Sequence, residues 1–135
     1  MYLKNFIESE NQINLKVQEA NYYIGFSYFH LGNYEESLKY LLNKVNKDDN
    51  KKLYFKSLFY ISGNYQNLKI YDLAIDYFDE IINSCEDLQL VADTHVNKGE
   101  VLIEKISNSK DIIIFYSVFE GFILKNENNL NNFHE

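Results

Sequence analysis

A chain of 135 residues with a formal charge of −7 has the size of one domain and the wrong sign for tracking phosphates. Hydrophobic residues make up 46% and aromatics 16%, which excludes a largely disordered chain, while five glycines and no proline leave few helix breakers. The basic residues are all lysines, and the densest group (Lys44, Lys47, Lys51 and Lys52) is interleaved with Asp48 and Asp49, a solvated interhelix loop in which no direct nucleic-acid partner is expected.

Apolar residues at steps of three and four predict helices over 12–31, 34–46, 51–67, 71–85, 88–106 and 110–125. Before the first of these, Met1 to Glu10 lack the unbroken apolar core of a signal peptide. Between the first two, Leu31-Gly32-Asn33 makes a turn in which Gly32 suits a left-handed helix end. In the third and fourth, Leu58, Ile61, Ser62 and Tyr65, then Leu73, Ala74, Tyr77, Phe78, Ile81 and Ile82, form stripes around a polar turn at Asn67, Lys69 and Asp72. The last helix, Ile112 to Leu124, is apolar around nearly its whole circumference, with a strand as the rival reading of 112–115 on β-branched content. Ser117, Glu120 and Gly121 interrupt it, and it falls short of the roughly 20 residues a membrane helix needs. A soluble, cytoplasmic protein without membrane partners is expected. Residues 127–135 read as a polar C-terminal tail and 1–126 as the folded domain.

The helices repeat. A shift of 37 residues places Tyr28 on Tyr65, Gly25 on Ser62, Tyr34 on Tyr71, Ser37 on Ala74 and Leu41 on Phe78. A second shift brings Gly99 under Ser62, Leu102 under Tyr65 and Phe115 under Phe78. The stretch from Gly25 to Ser37, GFSYFHLGNYEES, resembles the tetratricopeptide (TPR) signature, in which a small residue on each helix lets two axes approach while aromatics fill the next layer. The resemblance spans about residues 18–125 and fades along the chain. Asp111 occupies the third copy's small position, and Ser107-Asn108-Ser109 lacks the Gly and Tyr of the turn. The family period is about 34 residues, so longer interhelix loops are expected here. The resemblance implies an all-α fold of about three stacked hairpins in a short right-handed α-solenoid.

It also implies a function in holding protein or peptide on a concave face lined by the first helix of each hairpin. Carried onto this sequence, the binding positions are Tyr22, Phe26, Phe29 and His30, then Phe59, Gly63, Gln66 and Asn67, then Val96, Asn97, Glu100, Ile103 and Glu104. Aromatics offer contact area at low entropic cost, and amides can pair with both edges of a peptide backbone. The same aromatics can instead pack between neighbouring hairpins. The carboxylate clamp of some chaperone-binding TPRs is not implied, because its positions hold Tyr22, Phe26, Tyr60, Asp93 and Asn97. Long-period repeats rich in Tyr and Asn also resemble the peptide-pheromone receptors of Gram-positive bacteria (Rap, Rgg and PlcR type). Those receptors join such repeats to a DNA-binding or effector domain, so this chain would be a fragment, a stand-alone antagonist or a relative. The apolar last helix predicts a covered surface, by a self-partner through Phe115, Phe119 and Phe122, by another protein, or by further repeats outside this chain.

No catalytic constellation stands out, and neither an enzyme nor a cofactor is expected. Cys85 ends a predicted helix without a histidine in its repeat, and it reads as a buried or half-buried thiol and not a nucleophile. His30, His95 and His134 lie apart without metal-ligand spacing. Adjacent carboxylates such as Glu35–Glu36 and Asp79–Glu80 do not share a helix face.

Overall fold

The computed structural model describes residues 2–134, with the side chains at 110–115 and 129–134 outside the description. The described residues form six helices and no strand: α1 (Tyr2–His30), α2 (Tyr34–Leu41), α3 (Lys51–Asn67), α4 (Tyr71–Ser84), α5 (Leu88–Ser107) and α6 (Lys110–His134). This is an all-α helical-repeat fold. The chain divides into two units, residues 1–101 and 102–135.

In the first unit α1 packs on α2, α3 on α4, and the two hairpins meet through α2 with α3 and α1 with α3. The small residues act as the sequence implies. The Ser37 hydroxyl donates to the Gly25 carbonyl at 2.6 Å, and a Cβ on Gly25 would lie 2.4 Å from Cγ of Leu41. Only a residue without a side chain lets α2 come that close. In the second hairpin Ser62 and Ala74 hold the equivalent places, both fully buried. Around them lie Leu41, Phe55, Leu58, Ile61, Phe78 and Ile81. Asn64 links the hairpins by donating from Nδ2 to the Ser37 hydroxyl at 2.8 Å in the buried interior.

The period of 37 is repeated atom by atom in the turns. After α1, the Asn33 amide donates to the Tyr28 carbonyl and the Gly32 amide to that of Phe29. After α3, Ile70 donates to Tyr65 and Lys69 to Gln66. Both are Schellman turns, with Gly32 at φ 80° and Lys69 at φ 62° in the left-handed position. Stacked tyrosines recur likewise: Tyr28 on Tyr40 and Tyr65 on Tyr77, with ring centroids 5.7 and 5.8 Å apart.

Helix limits differ from the sequence reading in three places. α1 begins ten residues earlier than the predicted 12. α2 ends at Leu41 rather than 46, because Asn43 turns left-handed at φ 56°. The loop that follows is pinned instead: Gln18 donates from Nε2 to the Asp49 carboxylate, and its Oε1 accepts the Asn46 amide. The connection after α2 spans 42–50 but that after α4 only 85–87, so the expected long loop is found in the first repeat and not in the second. α6 runs through residues 127–134, which the sequence reading assigned to a tail, and it takes in 112–115, so the strand alternative for that stretch fails.

α5 keeps the repeat's phase, since Thr94 and Val101 are buried where Ser57 and Asn64 are, 37 residues earlier. Lys98 ties it to α4 through a 2.6 Å ion pair with Asp79. The second helices, however, begin at Tyr34, Tyr71 and Lys110, so the last spacing is 39 residues. The third turn is displaced by two residues, its sequence lacks Gly and Tyr, and in it the Ser109 amide donates to the Ile106 carbonyl.

Candidate interaction surface

The aromatics predicted for the binding face come from α1 and α3, and they meet around a residue the binding list omitted. The Tyr60 ring lies 5.1 Å from Phe26, 5.1 Å from Phe29, 5.5 Å from Phe59, 5.8 Å from His30 and 6.2 Å from Tyr22. Most of these contacts are edge-to-face, the arrangement that ring quadrupoles favour. Tyr60 repeats Tyr23 at the period of 37, and that register was the available sequence signal.

Helix geometry explains the gathering. Tyr22, Phe26 and Phe29 follow one another at steps of four and three on the face of α1 that meets α3. Gly63 completes the fit, because a Cβ there would lie 2.8 Å from Cε2 of Phe29. Gly63 thus makes room for the Phe29 ring.

Within the cluster the residues play different parts. Tyr22 is 6% exposed and belongs to the core. Its phenol is pushed up to about 12, first by burial and then by the neighbouring Tyr60 and Tyr23 hydroxyls. Burial also raises Tyr60. Phe26, Phe29 and Phe59 are half-buried, and His30 is exposed with its ring 4.3 Å from Phe26. Tyr22 therefore packs between the hairpins, while Phe26, Phe29 and His30 keep part of their surface accessible.

Further along α3, Gln66 is half-buried and Asn67 is exposed, its Nδ2 donating to the Gly63 carbonyl at 2.8 Å. Asn97 is half-buried and Glu100 exposed on α5, a helix separate from the ring cluster. Val96 is exposed on the same helix, while Ile103 and Glu104 belong to the second unit.

On α6, Phe119 and Phe122 are exposed, together with Val118 and Leu124. Phe115, placed with them by the sequence, has its side chain outside the described residues. Cys85 is half-buried and lines a 420 Å³ cavity with Lys51, Lys52 and Lys56 on one side and Glu86 and Asp87 on the other. Lys51 and Glu86 are 3.6 Å apart there. No helix among the described residues is long and apolar enough to cross a membrane.

Comparison with known families falls on the first hairpin. Residues 19–48 match the Tetratricopeptide repeat family. The match covers α2, the last twelve residues of α1, the Gly25–Ser37 contact and the first Schellman turn. No curated protein and no solved structure matches the chain. A TPR motif points to protein–protein interaction, and the second hairpin repeats the geometry of the matched one.

Proposed function

We propose that the chain is a non-catalytic interaction module that holds an extended peptide segment against α1 and α3. The observation that carries this reading is the half-exposed edge of the Tyr60 cluster together with the exposed Asn67 on the same helix. Phe26, Phe29 and His30 supply apolar contact for a side chain of the ligand, while Gln66 and Asn67 supply backbone pairing. Phe59 and Tyr22 hold the rings in place from behind. Asn97 and Glu100 extend the same binding face onto the third first-helix. A narrower form of the reading makes the ligand a signalling peptide, in keeping with the long repeat period and the Tyr- and Asn-rich sequence.

Selection from a library of random linear peptides, followed by calorimetry, tests the proposal. Changing Phe29→Ala together with Asn67→Ala should weaken binding of a selected peptide at least tenfold while far-ultraviolet circular dichroism stays unchanged. Retained affinity would place the ligand elsewhere.

A second reading, self-association through the last helix, rests on the exposure of Phe119 and Phe122. Among the described residues of α6, the apolar Tyr116, Val118 and Leu124 stand exposed beside them. Loss of self-association in a Phe119→Glu, Phe122→Glu variant supports this reading, and an unchanged mass rejects it.

A further inference from the structure

α1 carries two faces of different fate. Gln18, Tyr22, Gly25 and Phe29 face α2, α3 and the pinned loop. The other face runs Leu3, Phe6, Glu10, Ile13, Val17, Ala20 and Ile24, alternating steps of three and four residues. That is the spacing of a coiled-coil seam, continued here over three heptads. Leu3 is 73% exposed, Phe6 55%, Ile13 63% and Val17 52%.

The early start of α1 sharpens the point. Every residue from Tyr2 to Asn14 is exposed, and the first turn carries no acidic residue to complement the helix dipole. A solvated segment of this length is marginal as a helix without tertiary packing. An apolar stripe in seam spacing is the sequence feature by which such a segment gains packing from a second helix.

We propose that this stripe is the seam of an antiparallel contact between the α1 helices of two copies of the chain. Charge selects the direction. A parallel, in-register pair would set Glu10 against Glu10. In the antiparallel register centred between Asn11 and Gln12, Glu10 faces Ile13 of the second copy, with that copy's Lys16 one turn away. The same register layers Phe6 on Val17 and Leu3 on the small Ala20, each pair occurring twice. The exposed apolar side chains involved would bury on the order of 1,000 Å² in total, at the lower edge of the size class of specific protein interfaces. Because the stripe lies opposite the face bearing Tyr22 and Phe29, the contact leaves the proposed peptide site open in both copies.

Sedimentation equilibrium of the full chain tests the proposal. The wild type should be a dimer, and Phe6→Glu with Val17→Glu should halve the mass without changing helicity, since both positions are solvent-exposed within one copy. In a Cys85→Ser background, Phe6→Cys mixed with Val17→Cys should give an oxidised heterodimer, while neither variant alone should crosslink with itself. Self-crosslinking of either single variant would overturn the antiparallel register. A monomeric wild type, a dimer that survives both glutamates, or a dimer lost only in Phe119→Glu, Phe122→Glu would overturn the seam itself.

Discussion

At Gly25 a methyl group would have nowhere to go: its Cβ would lie 2.4 and 2.5 Å from Cγ and Cδ2 of Leu41, itself 1% exposed in the core. At Gly99, on α5, an added Cβ meets nothing within 4 Å. Both glycines lie in helices, where alanine is intrinsically favoured by about 1 kcal/mol. Gly99→Ala should therefore stabilise the protein by about 0.5–1 kcal/mol. Gly25→Ala gains the same propensity but must displace Leu41 or spread α1 from α2, and overpacking of that kind costs about 1–3 kcal/mol. The net for Gly25→Ala is destabilisation, and it also lengthens the Ser37–Gly25 hydrogen bond. Urea denaturation of the two variants should move the midpoint in opposite directions. A common direction would show that the approach of α1 and α2 is not set by Gly25.

The two Schellman turns make an internal comparison between elements, because they share hydrogen-bond pattern and register but not the residue in the left-handed position. Gly32 adopts φ 80° at no steric cost, whereas Lys69 holds φ 62° with a Cβ. For residues with a Cβ that conformation costs about 1–2 kcal/mol. Lys69→Gly should then stabilise the second hairpin, by about 0.5–1 kcal/mol after the extra backbone entropy of glycine is subtracted. A thermal midpoint that stays put or falls would mean the Lys69 side chain contributes a compensating contact. The same pair of turns shows what was legible in the sequence. Gly32 announced the first turn, and the shift of 37 residues located the second despite the lysine, so α3 and α4 came out within one residue of their observed limits. α2 came out too long because the apolar Leu41, Leu42 and Val45 continue a helical pattern, although Val45 is buried from the loop. The beginning of α1 was missed because apolar residues there face away from the hairpin. The candidate surface was legible to the level of the helix face. Its centre at Tyr60 and the burial of Tyr22 depend on how α1 crosses α3, which spacing within either helix does not encode.

Across the first unit, four phenols share an environment that ties whole-molecule stability to alkaline pH. Burial leads the upward shift at Tyr22, Tyr54, Tyr60 and Tyr77, and Tyr54 is raised further by donating its hydroxyl to the Glu80 carboxylate. Tyr22 and Tyr54 are pushed from the usual 10.0 to about 12. As pH rises past 10, the unfolded chain releases these protons while the folded chain keeps them. The folded state then binds more protons, so stability must fall with pH across that window. The contribution is fully present below pH 10 and gone once pH exceeds about 12; for the well-buried Tyr22 it is on the order of 2 kcal/mol. The chain already carries a charge of −7, so each phenolate formed adds to an existing repulsion rather than relieving it. Denaturant midpoints should stay level up to pH 10 and decline beyond it, and Tyr22→Phe should flatten the decline because it removes a titrating group while keeping the ring against Tyr60. If Tyr22→Phe leaves the slope unchanged, the Tyr22 hydroxyl reaches solvent and the aromatic cluster is looser than its ring contacts imply. That result would also weaken the peptide proposal, since a binding face built on Phe26 and Phe29 needs a rigid layer of tyrosine behind it.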